Sequence, residues 1–203
     1  MRQAIIHTFL TFFLAGTVSV ASADSPVTST PFYKAYLELE IVGKAEEKGV
    51  IDLEIAGHLY SKSIPVDLKA AIINALSWDA QGKKNAEMYR YYLSLRYGKT
   101  LNELRVDDLA PDEVFCLGYL AVMDDYFHPE EGISLLERAN DQMMSSYTSA
   151  IILAIARAQE KLMAQDFSTV WELVAAVRDN QNLRRDFRPR ASEIIFDYMS
   201  LYE

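Results

Sequence analysis

The sequence predicts an all-α protein built from antiparallel helix pairs. Three observations carry that expectation. Apolar residues recur at helical spacing: Leu117, Leu120 and Ala121 lead to Asp124 at i, i+3, i+4 and i+7, and Val170, Leu173, Val174 and Val177 repeat the pattern. Prolines fall where helices begin and are followed by acids, as in Pro111-Asp112-Glu113 and Pro129-Glu130-Glu131. A first-turn proline lacks an N–H that the helix does not use there, and acids favour the positive end of the helix dipole. The period-two alternation of a half-buried strand is nearly absent.

The elements follow in order. Residues 24–30 are rich in Ser, Thr and Pro and predict a flexible leader. Thr30-Pro31 opens a helix over 31–47, and Gly49 stops it. Helices over 51–62, 65–81 and 84–97 follow, with Gly82 and Gly98 closing the last two. Thr100-Leu101-Asn102-Glu103 fits a capping box and opens a helix over 100–109. Pro111 opens 111–127. Pro129 opens 129–143, where Ile133, Leu136 and Ala139 mark the apolar face. Helices over 146–163, 167–179 and 190–202 complete a single all-α domain spanning 31–203.

Composition bounds the function. The 203 residues are 50% hydrophobic and 24% charged, a globular balance. Twenty basic residues stand against 29 acidic ones, for a net charge of −9, which argues against a nucleic-acid partner because that needs a basic surface. One cysteine, Cys116, excludes an intramolecular disulfide and suggests a buried, inert thiol. The first 23 residues read as a cleaved secretory signal: Arg2, an apolar stretch from Ala4 to Val20, then Ala21-Ser22-Ala23. The apolar run is shorter than the ~20 residues that a membrane span needs. Cleavage removes one arginine and no acid, moving the net charge to −10, and implies a periplasmic or secreted bacterial protein. No segment after the signal is long enough to span a bilayer; the best is 150–156.

No catalytic constellation emerges, and the expectation is a non-enzymatic protein without a cofactor. The paired acids Asp107-Asp108, Asp112-Glu113, Asp124-Asp125 and Glu130-Glu131 lie near helix ends, where dipole and solvation account for them. The histidines outside the signal, His58 and His128, belong to no metal-ligand spacing. No phosphate-binding glycine loop and no nucleophile elbow occur. The stretch from Arg184 to Arg190 is a local basic patch, read first as a solvated interhelical loop.

The helix pairs at 111–141 and 146–178 start 35 residues apart, a spacing typical of helix–turn–helix repeats. Leu117-Gly118 resembles the Leu-Gly step of the tetratricopeptide family, and Gly132, Ile133, Leu136 and Ala139 resemble the small-apolar pattern of its second helix. That resemblance implies a short stacked array whose first helices line an inner, peptide-binding face. In that register Asp112, Phe115, Tyr119, Val122 and Met123 face a protein or peptide partner. An irregular single-domain α bundle is the alternative. Tyr89, Tyr91, Tyr92 and Tyr97, interleaved with Arg90 and Arg96, add a second candidate surface, since Tyr and Arg dominate binding hot spots. Tyr89, Tyr92 and Arg96 are its candidate contacts. The same spacing also fits core tyrosines with their hydroxyls at the surface.

The leading functional expectation is an exported adaptor or chaperone-like scaffold for an envelope or secretion assembly. The alternative is a periplasmic immunity protein that inhibits a toxic effector. Phe115-Cys116-Leu117-Gly118-Tyr119-Leu120 is similar to the F-C-L-G-Y segment of one such family, which carries paired cysteines where this chain has Cys116 alone.

Overall fold

The computed structural model describes residues 25–79 and 81–203; the signal segment 1–23 lies outside them. The described residues are all-α. Nine α-helices are found among them: α1 Glu40–Lys48, α2 Leu53–Tyr60, α3 Val66–Leu76, α4 Asn85–Tyr97, α5 Pro111–Asp124, α6 Glu130–Gln142, α7 Tyr147–Met163, α8 Val170–Asp179 and α9 Pro189–Met199. Short 3₁₀ turns at Phe32–Tyr36, Val106–Asp108, Phe167–Thr169 and Ser200–Tyr202 join or extend them.

α3 is the axis of the molecule. Every residue from Lys69 to Leu76 is buried, and α1, α2, α5, α7 and the 32–36 turn pack around it. A helix buried on every side takes such a central position. Its polar residues are satisfied there. Asn74 accepts from the Tyr33 amide at 3.0 Å and donates to the Tyr119 hydroxyl at 3.1 Å, and Lys69 pairs with Asp112.

α5 and α6 form the tightest pair, and glycine permits it. A Cβ on Gly118 would sit 2.9 Å from the Gly132 carbonyl oxygen and from the Leu136 amide. One on Gly132 would sit 2.5 Å from Val122 Cγ2 and 2.8 Å from the Gly118 carbonyl oxygen. Neither position has room for a side chain, so the expected close approach at Leu117-Gly118 is present. Ser146 caps the start of α7, its hydroxyl accepting from the Ser149 amide at 3.1 Å, and α8 packs along the helix.

The described chain ends meet. α9 packs on the 32–36 turn, where Phe32, Tyr36 and Tyr147 surround the Phe187 ring. The basic patch is the clasp. Arg188 lies 4.2 Å above Tyr36 and donates to the Ala35 carbonyl, and Arg185 lies 4.6 Å above Tyr147. Arg188 fastens α9 to the 32–36 turn and Arg185 fastens the same loop to α7, while Arg184 and Arg190 stay exposed in local ion pairs with Asp186 and Glu193.

Three expectations need correction. Residues 25–30 are no flexible leader: Val27 and Thr30 are buried, and the Ser25 hydroxyl donates to Gln159 on α7 at 2.5 Å. The helix expected over 31–47 divides at 37–39, because Phe32 and Tyr36 are drawn into the Phe187 cluster and Tyr36 bonds Asp67. Over 100–109 the Thr100–Glu103 bonds form, but no α-helix follows. The Arg90 guanidinium takes the Leu104 carbonyl at 3.2 Å, Lys99 pairs with Asp108 at 2.7 Å, and Leu104 turns into the core. Tertiary partners outbid local helical signals there.

Candidate functional site

α4 lies at the edge of the bundle, packed on α5 and α2. Polar contacts hold it at both ends. At its start, Asp124 Oδ2 accepts from the Ala86 amide at 2.7 Å. At its end, the Tyr97 hydroxyl donates to Glu113 at 2.6 Å, and Gly98 closes the helix in the left-handed conformation.

The anchor at Glu113 belongs to a buried ionic cluster. Glu113 is fully buried and also accepts from Lys62 at 3.0 Å and from the Ala110 amide at 2.9 Å. Its neighbour Asp112 holds Lys62 at 2.8 Å and the fully buried Lys69 at 2.5 Å. Burial works against the Asp112 charge, yet the two ammonium groups hold its carboxyl below the usual carboxylate range. Burial pushes the Cys116 thiol up to about 12, which makes it unreactive at neutral pH. Every acceptor in this cluster is engaged with chain groups, so the cluster organises α3, α4 and α5 rather than offering a substrate a free base.

The residues expected on an inner binding face are not there. Phe115, Tyr119, Val122 and Met123 are buried. α3 covers the face of α5 that would meet a peptide, and Val122 packs against Gly132 of α6. Asp112 is committed to its two lysines. Tyr89 is also core, and its hydroxyl has no hydrogen-bond partner among the described residues. The whole segment Phe115–Leu120 is buried, so its likeness to an immunity-protein segment lies in packing positions.

Two predicted contacts stay at the surface, and the structure joins them. Tyr92 is half-buried with its ring 6.0 Å from Tyr60, and the exposed Arg96 guanidinium stands 4.8 Å above that same Tyr60 ring. Beside them Met88, Tyr91 and Leu95 are 50%, 50% and 59% exposed. Their i, i+3, i+7 spacing puts them in one stripe on the outer side of α4, with Tyr89 and Leu93 facing the core. Sequence reasoning missed Met88 and Leu95, whose spacing matches that of core residues. It also missed Lys62 and Lys69; a lone lysine inside the apolar run Val66–Leu76 was the available signal.

A second surface lies between α7 and α8. There Ala150, Leu153, Ala154, Leu173 and Ala176 line a groove of about 470 Å³, with Arg157 at its edge bound to Glu137 at 2.8 Å. No family model, no curated protein and no solved structure matches this chain.

Proposed function

We propose that this chain is an exported, non-enzymatic adaptor or chaperone-like scaffold, and that its partner protein docks on the outer face of α4. One observation carries the docking assignment. Met88, Tyr91 and Leu95 form an exposed apolar stripe beside the Tyr60–Tyr92–Arg96 stack. Apolar and aromatic anchors next to an arginine make up the usual composition of a binding hot spot, and an amphipathic partner helix is the natural complement of such a stripe. The stacked α5–α6 and α7–α8 pairs, with the Gly118–Gly132 approach, support reading the domain as a degenerate tetratricopeptide-like array. The Ala21-Ser22-Ala23 pattern supports export to the periplasm or beyond.

The test is affinity capture from envelope extract with residues 24–203 as bait, beside two variants. Leu95→Glu places a charge in the α4 stripe, and Ala176→Glu places one in the α7–α8 groove. The expected result is a set of partners that Leu95→Glu loses and Ala176→Glu keeps. The reverse pattern would move the binding face to the groove.

A further inference from the structure

The outer sides of α2 and α4 form one surface. The two helices lie side by side and run in the same direction. The Ile51 amide before α2 donates to the Asn85 side chain at the start of α4 at 2.9 Å. Further along, a Cβ on Gly57 would stand 3.6 Å from the Tyr92 hydroxyl, and Tyr60 meets both Tyr92 and Arg96 near the helix ends. This alignment brings the first turn of α2 beside Met88. Leu53 there is 78% exposed, and Leu53, Gly57 and Ile64 line a depression of about 370 Å³ next to the α4 stripe. Large apolar side chains gathered on one exposed face mark an interaction site.

The charges around this face single out one residue. Asp52 pairs with Lys48, Glu54 with Lys44 at 2.8 Å, and Glu87 with Lys84 at 3.7 Å. The Arg90 guanidinium is held by the Leu101 and Leu104 carbonyls, and Lys99 by Asp108. Arg96 differs. Its guanidinium stands over the Tyr60 ring and closes no ion pair or hydrogen bond among the described residues. A guanidinium over a ring keeps the N–H donors on its rim, and two of these match the two oxygens of a carboxylate. The chain as a whole carries a net charge of −9, so its overall field favours a basic partner, whereas the one uncommitted charge beside the apolar face asks for an acidic group.

We infer that the occupant of this face is an amphipathic helix of a partner protein that carries a carboxylate at one end of its apolar stripe, paired with Arg96. The inference rests on the reading of α4 as the docking face and adds the chemistry of the partner. Met88 and Arg96 are eight residues apart, a rise of roughly 12 Å along α4. The partner's acid therefore lies about two helical turns from the apolar residue that meets Met88. A second copy of this chain is a poor complement. It would bring another unpaired Arg96, while the acids around its own copy of the face are already paired. Apolar contact supplies the affinity of such a complex, and the Arg96–carboxylate pair fixes register and excludes basic competitors.

The test is selection from a phage-displayed library of amphipathic helices of about 16 residues, with apolar anchors at i, i+3 and i+7 and random flanking positions. Residues 24–203, Leu95→Glu and Arg96→Glu serve as separate baits. Both substitutions fall on exposed side chains, and matched melting of the three baits checks that the fold is intact. The parent chain should enrich Asp or Glu at one end of the apolar stripe, and Leu95→Glu should fail to retain that pool. Arg96→Glu should select Lys or Arg at the same position, and it should weaken the best acidic peptide by at least about tenfold, the equivalent of ~1.4 kcal/mol. Peptides that need Leu95 but show no acidic preference, or the same preference on Arg96→Glu, overturn the carboxylate assignment and leave the α4 docking face standing. An empty selection, or one indifferent to Leu95→Glu, overturns both. Sedimentation velocity of the parent chain checks the remaining occupant: a dimer that Leu95→Glu disperses would make the occupant a second copy and overturn the inference.

Discussion

α3 and α4 are neighbours in sequence and similar in length, yet the fold uses them in opposite ways. α3 is enclosed on all sides from Lys69 to Leu76, and even its charged residue is buried and paired. α4 buries Tyr89 and Leu93 and leaves Met88, Tyr91 and Leu95 in solvent. Apolar residues at helical spacing therefore state that a face meets something. They do not state whether that partner is the chain's own core or another molecule. α3 received an internal partner on every side; α4 received one on a single side.

Substitutions in the two helices should separate these roles. The largest effect is expected at the ion pair that seats α3. Asp112→Asn leaves the buried Lys69 charge without its partner and should cost about 3–5 kcal/mol at pH 7, read from urea unfolding. That cost depends on pH in a defined direction. The folded state holds the Asp112 carboxyl below its ordinary value, against the opposing effect of burial, so its contribution is present above the unfolded pKa of ~3.9 and is lost as pH falls through the folded value. The melting temperatures of the parent chain and Asp112→Asn should therefore converge in acid. A constant gap down to pH ~3 would show that the variant acts through packing instead of charge.

Next comes the apolar body of α3. Ile72→Ala removes a fully buried side chain and should cost about 2–5 kcal/mol by the same measurement. Gly132→Ala tests the α5–α6 seam beside it: the new methyl meets Val122 and backbone at 2.8 Å or less, with an expected cost of about 1–3 kcal/mol. The smallest stability change belongs to α4. Leu95→Ala should shift stability by less than about 0.5 kcal/mol while weakening partner capture. A loss comparable to that of Ile72→Ala would mean that the α4 stripe is covered within the folded protein.

Much of the helical layout was legible because its signals are local. Pro111 with Asp112 and Glu113 starts α5 as expected, Gly49 and Gly98 close α1 and α4 in the left-handed conformation, and Gly118 marks the tight pair. Proline geometry, glycine freedom and i, i+3, i+4 patterning act over a few residues and need no knowledge of the rest of the chain. Where long-range contacts outweigh them, the reading fails. Thr100 and Glu103 made their bonds, yet Arg90 and Lys99 drew the following residues out of the helix.

The candidate site was less legible, and for a related reason. A repeat register placed Phe115, Tyr119, Val122 and Met123 on an open inner face, but periodicity cannot reveal that the chain's own helices bury all four, with α3 on Tyr119 and α6 on Val122. Of the tyrosine–arginine cluster, Tyr92 and Arg96 remain available beside Tyr60, while Tyr89 is core. Local chemistry written in neighbouring residues was enough to establish an all-α chain, its principal helix starts and stops, and the need for small residues at one helix crossing. The choice of α3 as the axis, the burial of Lys69 against Asp112, the arginine clasp between the described ends and the exposure of the α4 stripe were decided by the tertiary structure. Each depends on which distant segments meet, and burial is a property of the assembled fold, not of any one segment.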